Sequence, residues 1–139
     1  MPSRCEMKCT EPKDMFLYEY AIVQFMPDIE RGEFVNIGLV MMCKRRRWIK
    51  ADFHINAERI LAFCPEAELD ALKSQILGFE RVANGDKTTG GAIAELEPHE
   101  RFRWLTAVRS ACLQTSRPHA GLTPDLESTF AHLFRTLVL

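Results

Sequence analysis

Apolar residues occupy both parities of a period-two pattern from Phe16 to Met26, where Leu17, Ala21, Val23 and Phe25 interleave with Tyr18, Tyr20, Ile22 and Met26. Aromatic and β-branched types at that period predict a strand covered on both faces. Pro27 to Glu33 supplies breakers and turn formers, and Phe34 to Cys43 is then apolar almost throughout, so the two runs predict a β-hairpin. Lys44-Arg45-Arg46-Arg47 interrupts the apolar run and belongs in water at a second turn. Trp48, Ile49, Ala51 and Phe53 then restart an alternating strand with Lys50 and Asp52. A three-strand antiparallel meander follows.

The period changes after residue 55. Asn56 is placed to cap a short helix carrying Ile60, Leu61 and Phe63, and Cys64-Pro65-Glu66 predicts the opening of a second helix, with proline in its first turn. Leu69, Leu72, Ile76, Phe79 and Val82 recur at three- and four-residue steps as one stripe. Asn84 to Gly91 reads as a mobile surface loop. Pro98 to Thr106 predicts a short helix with Phe102 and Leu105 inward, Ala111 to Thr115 a further strand, and Pro118 to Gly121 a turn or extended connection. Thr123-Pro124-Asp125 supplies a cap, a first-turn proline and an acid for a closing amphipathic helix that carries Leu126, Phe130, Leu133, Phe134, Leu137 and Val138. Strands first and helices mostly afterwards give an α+β class: an antiparallel sheet built on the meander, covered on one face by amphipathic helices. Residues 1–14 lack apolar periodicity and are expected to form a flexible tail, leaving 15–139 as one domain.

Composition narrows the function more than it narrows the fold. The 139 residues suit one domain, and no apolar run approaches the roughly 20 residues of a membrane helix. The start lacks a secretory signal, so a cytoplasmic protein is expected. Eighteen Lys+Arg against 19 Asp+Glu leave a net charge of −1, without the global basic field of most nucleic-acid binders. Five cysteines without framework spacing read as free thiols. No H-E-x-x-H pattern, zinc-finger cysteine spacing, nucleophile elbow or phosphate-binding glycine loop is present, so neither a metal nor a cofactor is expected.

The residues left to carry chemistry are polar groups set among apolar ones. Asn36 and Gly38 interrupt the second strand and by simple alternation share a face; a register that sets Gln24 opposite Asn36 would let the two amides satisfy each other. That arrangement reads as a structural polar pair with a packing glycine, or as the floor of a recognition groove. Arg31 and Glu33 lie at the hairpin tip. Arg101, Arg103 and Arg109 have the guanidinium forks that bind phosphate or carboxylate, unless Glu97 and Glu100 pair with them and Trp104 fills the core. His119, after the late strand, is the one histidine placed to act as an acid or base. Lys44 to Arg47 with Trp48 and Lys50 reads as a nucleic-acid contact or as a charged edge that prevents sheet aggregation.

Three stretches together resemble a known family: Tyr20 to Asp28 leading through Arg31-Gly32-Glu33-Phe34-Val35-Asn36-Ile37-Gly38; Glu100-Arg101-Phe102-Arg103-Trp104-Leu105; and Pro118-His119-Ala120-Gly121-Leu122. They are similar to the bacterial domain-of-unknown-function family 3037 over about residues 16–138. The resemblance implies a small cytoplasmic bacterial protein with no settled activity, often associated with a neighbouring HipA-like kinase. A non-enzymatic interaction or regulatory module is therefore the leading expectation, presenting the surface around Arg31, Glu33, Asn36, Arg101, Arg103, Arg109 and His119 to a protein partner such as that kinase. A second reading is a small enzyme or binder acting on a phosphate-bearing or nucleotide ligand, with arginines holding the anion, Glu33 or Glu100 as base and His119 as proton donor. It requires all of these groups to meet in one pocket. A third is a nucleic-acid accessory protein working through Lys44 to Arg47 and Trp48. No membrane partner is expected.

Overall fold

In this computed structural model, which describes residues 15–28, 30–86, 91–107 and 112–139, the meander forms where the alternation places it. Its strands are β1 (Phe16–Phe25), β2 (Val35–Cys43) and β3 (Trp48–Phe53). The expected tail, residues 1–14, lies outside the described residues. β4 (Leu113–Thr115) and β5 (His119–Thr123) both pair with β1, on the side away from β2, and every pairing is antiparallel. The stretch expected as a turn or extended connection is thus partly a strand, and five strands form the sheet among the described residues.

Two one-residue irregularities flank β1. Val23 pairs with Gly38 but Gln24 with Asn36, which leaves Ile37 as an extra residue in β2. On the other side Tyr20 pairs with His119 and Val23 with Thr115, so three residues, Ser116 to Pro118, oppose Ala21 and Ile22. A proline has no N–H for the ladder, which accounts for a break there. Ser116 closes it: its N–H donates to the Ile22 carbonyl (2.8 Å) and its hydroxyl accepts from the Ile22 N–H (2.9 Å).

The β2 bulge inverts side-chain parity along the strand. Val35 and Ile37 before it, and Val40 and Met42 after it, join Ala21, Val23 and Phe25 in the larger core, whereas Leu39, Met41 and Cys43 point to the opposite side. Asn36 and Gly38 consequently do not share a face, as uninterrupted alternation would require. Helices occupy both sides. α1 (Ala57–Phe63), α2 (Leu69–Ala83), a 3-10 turn (Gly91–Glu95) and α3 (Pro98–Leu105) line the larger core, with Ile60, Leu72, Phe102 and Leu105 at 2% exposure or less. Burial of each such side chain contributes about 1.5–3 kcal/mol. α4 (Leu126–Leu137) covers the reverse face, where Leu126 and Phe130 pack against Leu39, Met41 and Cys43. The α+β antiparallel layer is as the sequence predicts; the closing helix takes the second face because β1 and β2 are apolar at both parities.

Element ends follow local chemistry. The Asn56 carboxamide accepts the Arg59 N–H (3.1 Å) and caps α1, in which Ile60 is buried but Leu61 faces outward. Pro65 does not begin α2. It sits in a tight turn closed by the Ala67 N–H on the Cys64 carbonyl (3.0 Å), and α2 starts only at Leu69. The cap of α4 is Asp125, whose carboxylate accepts the Ser128 N–H (3.2 Å), while the Thr123 hydroxyl accepts the Asp125 N–H one step earlier. Of the loop expected at Asn84 to Gly91, Gly91 already belongs to the 3-10 turn, and residues 87–90 lie outside the described residues, as does Ala111 of the late strand.

Gly38 owes its place to the Phe53 ring. A Cβ on it would run into that ring and come within 2.9 Å of the Asp52 carbonyl, a backbone atom that cannot give way. Gly38→Ala is expected to destabilise the fold by about 1–3 kcal/mol, read as a lower denaturant midpoint with an unchanged slope.

Candidate functional site

The polar residues singled out by sequence go to separate places. Arg31 and Glu33 pair with each other at the hairpin tip (2.7 Å) with side chains 69% and 57% exposed, an ion pair of little energetic consequence. They border an open polar cleft of about 460 Å³ with Asp28, Phe63, Cys64 and Glu66. Gln24 does stand opposite Asn36, but the Asn36 amide donates to the Leu137 carbonyl at the end of α4 (3.1 Å), and its own carbonyl oxygen is buried without a partner. Arg101 folds back onto the Ala94 carbonyl (3.3 Å) and lies against Gly85, with burial pushing its guanidinium below the ordinary value while Glu97 opposes that shift. Arg103 grips both carboxylate oxygens of Glu19 at 3.1 Å. His119 packs its ring against Tyr20 (5.3 Å), on the sheet face opposite Glu19. Arg109 and Ser110 lie outside the described residues. Arg101, Arg103 and His119 do not converge on one cavity. Trp104, offered as core, is 39% exposed.

The basic stretch is engaged within the molecule. Arg45 and Arg46 stand over the Phe16 ring at 5.7 and 5.0 Å, and Arg47 pairs with Glu97 (2.7 Å). Trp48 donates its indole N–H to Glu127 (3.1 Å) and meets Phe130 edge-on, while Lys50 binds the other oxygen of Glu127 (2.8 Å). The aromatic that a nucleic-acid reading would use for stacking is thereby tied to α4.

A surface the sequence did not single out is apolar and exposed. The larger core takes Ala21, Val23 and Phe25 from β1 but stops short of Leu17 on the same face, and the Arg103–Glu19 pair marks where the helical layer ends. Beyond that boundary Leu17 and its cross-strand partner Leu122 are 61% and 54% exposed. With Met15, Lys44 and Arg45 they line an open, mostly apolar cleft of about 550 Å³. Leaving two paired leucines so exposed among the described residues forfeits most of their burial energy. No periodicity argument reveals this patch, because it depends on where a helix packed from elsewhere in the chain comes to an end.

Other features are self-contained. A cleft of about 300 Å³ between α2, α3 and β4, lined by Gly78, Phe79, Trp104 and Leu113, is bounded by residues on either side of the undescribed 108–111. Glu80 is held above the ordinary carboxylate value by burial and by Asp52 on β3, but lines none of the clefts described here. Among the described residues no group of His, Cys, Asp and Glu could hold a metal, and no helix is long and apolar enough to cross a membrane. Cys43, Cys64 and Cys112 are free thiols.

A family model described as "Protein of unknown function (DUF3037)" matches residues 20–138. No curated protein and no solved structure matches the chain.

The Lys50 and Trp48 hydrogen bonds hold the Glu127 carboxyl below its ordinary 4.5. Because the folded-state value is depressed, the stabilisation is complete above pH 4.5 and is lost as pH falls through the folded value. The Trp48 indole N–H resonance is expected to be constant at neutral pH and to shift only in acid below 4.5; in Glu127→Gln that titration disappears.

Proposed function

The chain belongs to the DUF3037 family, whose members are described as proteins of unknown function, and from that premise we propose that it is a non-enzymatic module that docks on a protein partner in the cytoplasm. The observation that carries this reading is the half-exposed Leu17–Leu122 pair with Lys44 and Arg45 at its rim. An interface of this kind has an apolar centre that loses water on binding and a charged border that selects the partner. The scatter of Arg31, Glu33, Asn36, Arg101, Arg103 and His119 supports docking over catalysis, because a general base, a proton donor and an anion clamp act together only within hydrogen-bond reach of one substrate. In this reading Arg101 and Arg103 hold the helical layer in place beside the docking surface, and Arg31, Glu33 and His119 are available for peripheral contact.

The HipA-like kinase implied by the family resemblance is the partner to test. Coexpression is expected to yield a stoichiometric complex on size exclusion. Leu17→Thr combined with Leu122→Thr is expected to weaken that complex by about tenfold or more, with stability nearly unchanged because both side chains are already largely in water. A kinase that never co-elutes, or one indifferent to the double variant, would overturn the assignment.

A further inference from the structure

The two edges of the sheet differ in chemistry. β3 carries Lys50 and Asp52, charges of the kind that discourage edge-to-edge pairing, whereas β5 reads His119-Ala120-Gly121-Leu122-Thr123 with no Lys, Arg, Asp or Glu. Ala120 and Leu122 are exposed, and no strand lies beyond β5 among the described residues. Pro118 and Pro124 stand three residues to either side of Gly121. The run of edge that can donate main-chain N–H groups is therefore short and centred on that glycine.

Backbone direction follows from two bonds. The Ser116 N–H donates to the Ile22 carbonyl and the Met26 N–H donates to the Cys112 carbonyl (2.7 Å), so the even-numbered residues of β1 turn their amide groups toward β4 and β5. Two-residue alternation then makes Tyr20–His119 and Tyr18–Gly121 the hydrogen-bonded pairs. The N–H and C=O groups of Ala120 and Leu122 therefore point away from β1. Gly121 gives the place of its Cβ to the Tyr18 phenol, which lies 2.6 Å from where that atom would stand.

We propose that β5 pairs with β5 of a second copy of the chain, antiparallel about a two-fold axis through Gly121, an inference independent of the docking reading. The register is self-complementary. It sets Ala120 against Leu122 of the second copy and Leu122 against its Ala120, so the outward groups make about four main-chain hydrogen bonds. Gly121 then meets Gly121. The neighbouring two-fold registers would instead set the His119 or Thr123 side chain against the space that Tyr18 fills. Charge agrees with the same register. Arg117 is exposed and makes no ion pair among the described residues, and the axis brings it alongside Asp125 of the second copy, once on each side. The Asp125 carboxylate spends Oδ1 on the Ser128 N–H, which leaves its other oxygen for that guanidinium. Glu19, paired with Ala120 across the sheet, is already held by Arg103, so no like charges meet at the seam. The axis stands perpendicular to the sheet. The Leu17–Leu122 pairs of both copies therefore lie on one face, to either side of the axis, and stay open to a further partner.

Sedimentation velocity of the full chain, followed from the low micromolar to the high micromolar range, tests the pairing. One short strand makes an interface at the small end of the stable range, so a dimer with a Kd on the order of 10 μM is expected, weaker in high salt. Amide exchange at Ala120 and Leu122 is expected to slow as concentration rises through that value. Leu122→Pro removes an outward N–H at an edge where proline is tolerated, and is expected to leave the chain monomeric throughout with its melting temperature nearly unchanged. Arg117→Glu keeps the strand's own amides and sets like charges together on both sides of the axis; the dimer is expected to weaken about tenfold or more. A chain that stays monomeric at the highest concentration, or a dimer indifferent to either variant, would overturn the proposal. So would slow exchange of Ala120 and Leu122 in the dilute monomer, the mark of an edge already covered within one molecule.

Discussion

β1 keeps an unbroken alternation while each of its neighbours carries one residue too many, and the rest of the molecule depends on that mismatch. Both bulges lie near the same level of β1, around Ala21 to Gln24. On one side the extra Ile37 exchanges the faces of β2, which supplies Val40 and Met42 to one core and Leu39, Met41 and Cys43 to the other. On the other side Ser116 to Pro118 divides the outer row of the sheet into β4, beneath the helices, and β5, past their end. A regular ladder in either place would move a whole set of side chains to the wrong face.

This arrangement separates a helix-covered end of one strand from an end left open on one face among the described residues. The Phe25 end of β1 is held by α1, α2 and α3 over the larger core, and among the described residues the Phe16 end carries a helix only on the reverse face. The Arg103–Glu19 fork stands at the boundary, fixing the last helix of the layer to the sheet without covering what lies beyond. The polar residues set among the apolar strands mostly serve the same architecture: Asn36 ties the end of α4 to β2, and Arg101 ties the 3-10 turn to α3. The energy of these bonds goes into positioning elements, and the exposed leucines are what remains once that positioning is complete.

Legibility varied with the range of the interaction that decides each feature. The meander, the Asn56 cap, the stripe of α2 and the inward Phe102 and Leu105 all follow from neighbours a few residues apart or from one hairpin, and the structure places them as the pattern requires; Gln24 does face Asn36, but Asn36 bonds the end of α4 in place of Gln24. Pro65 and Pro124 suit the first turn of a helix, yet both stand just outside one, where a fixed φ serves a turn equally well. The composition of β5 was visible, but its pairing with β1 depends on contacts about a hundred residues apart in the chain.

Sequence by itself determined the α+β class, the family, the two-sided burial of β1 and the identity of the residues that fill the cores, because periodicity and turn chemistry act over a few residues and tolerate little ambiguity. The tertiary structure alone decided which face α4 covers, where the arginines spend their hydrogen bonds, and that Leu17 and Leu122 stay in water. Those outcomes depend on a single extra residue in each of two strands and on where a short helix ends; Pro118 marks one of the two irregularities, but the Ile37 bulge and the reach of the helix follow from packing between distant parts of the chain.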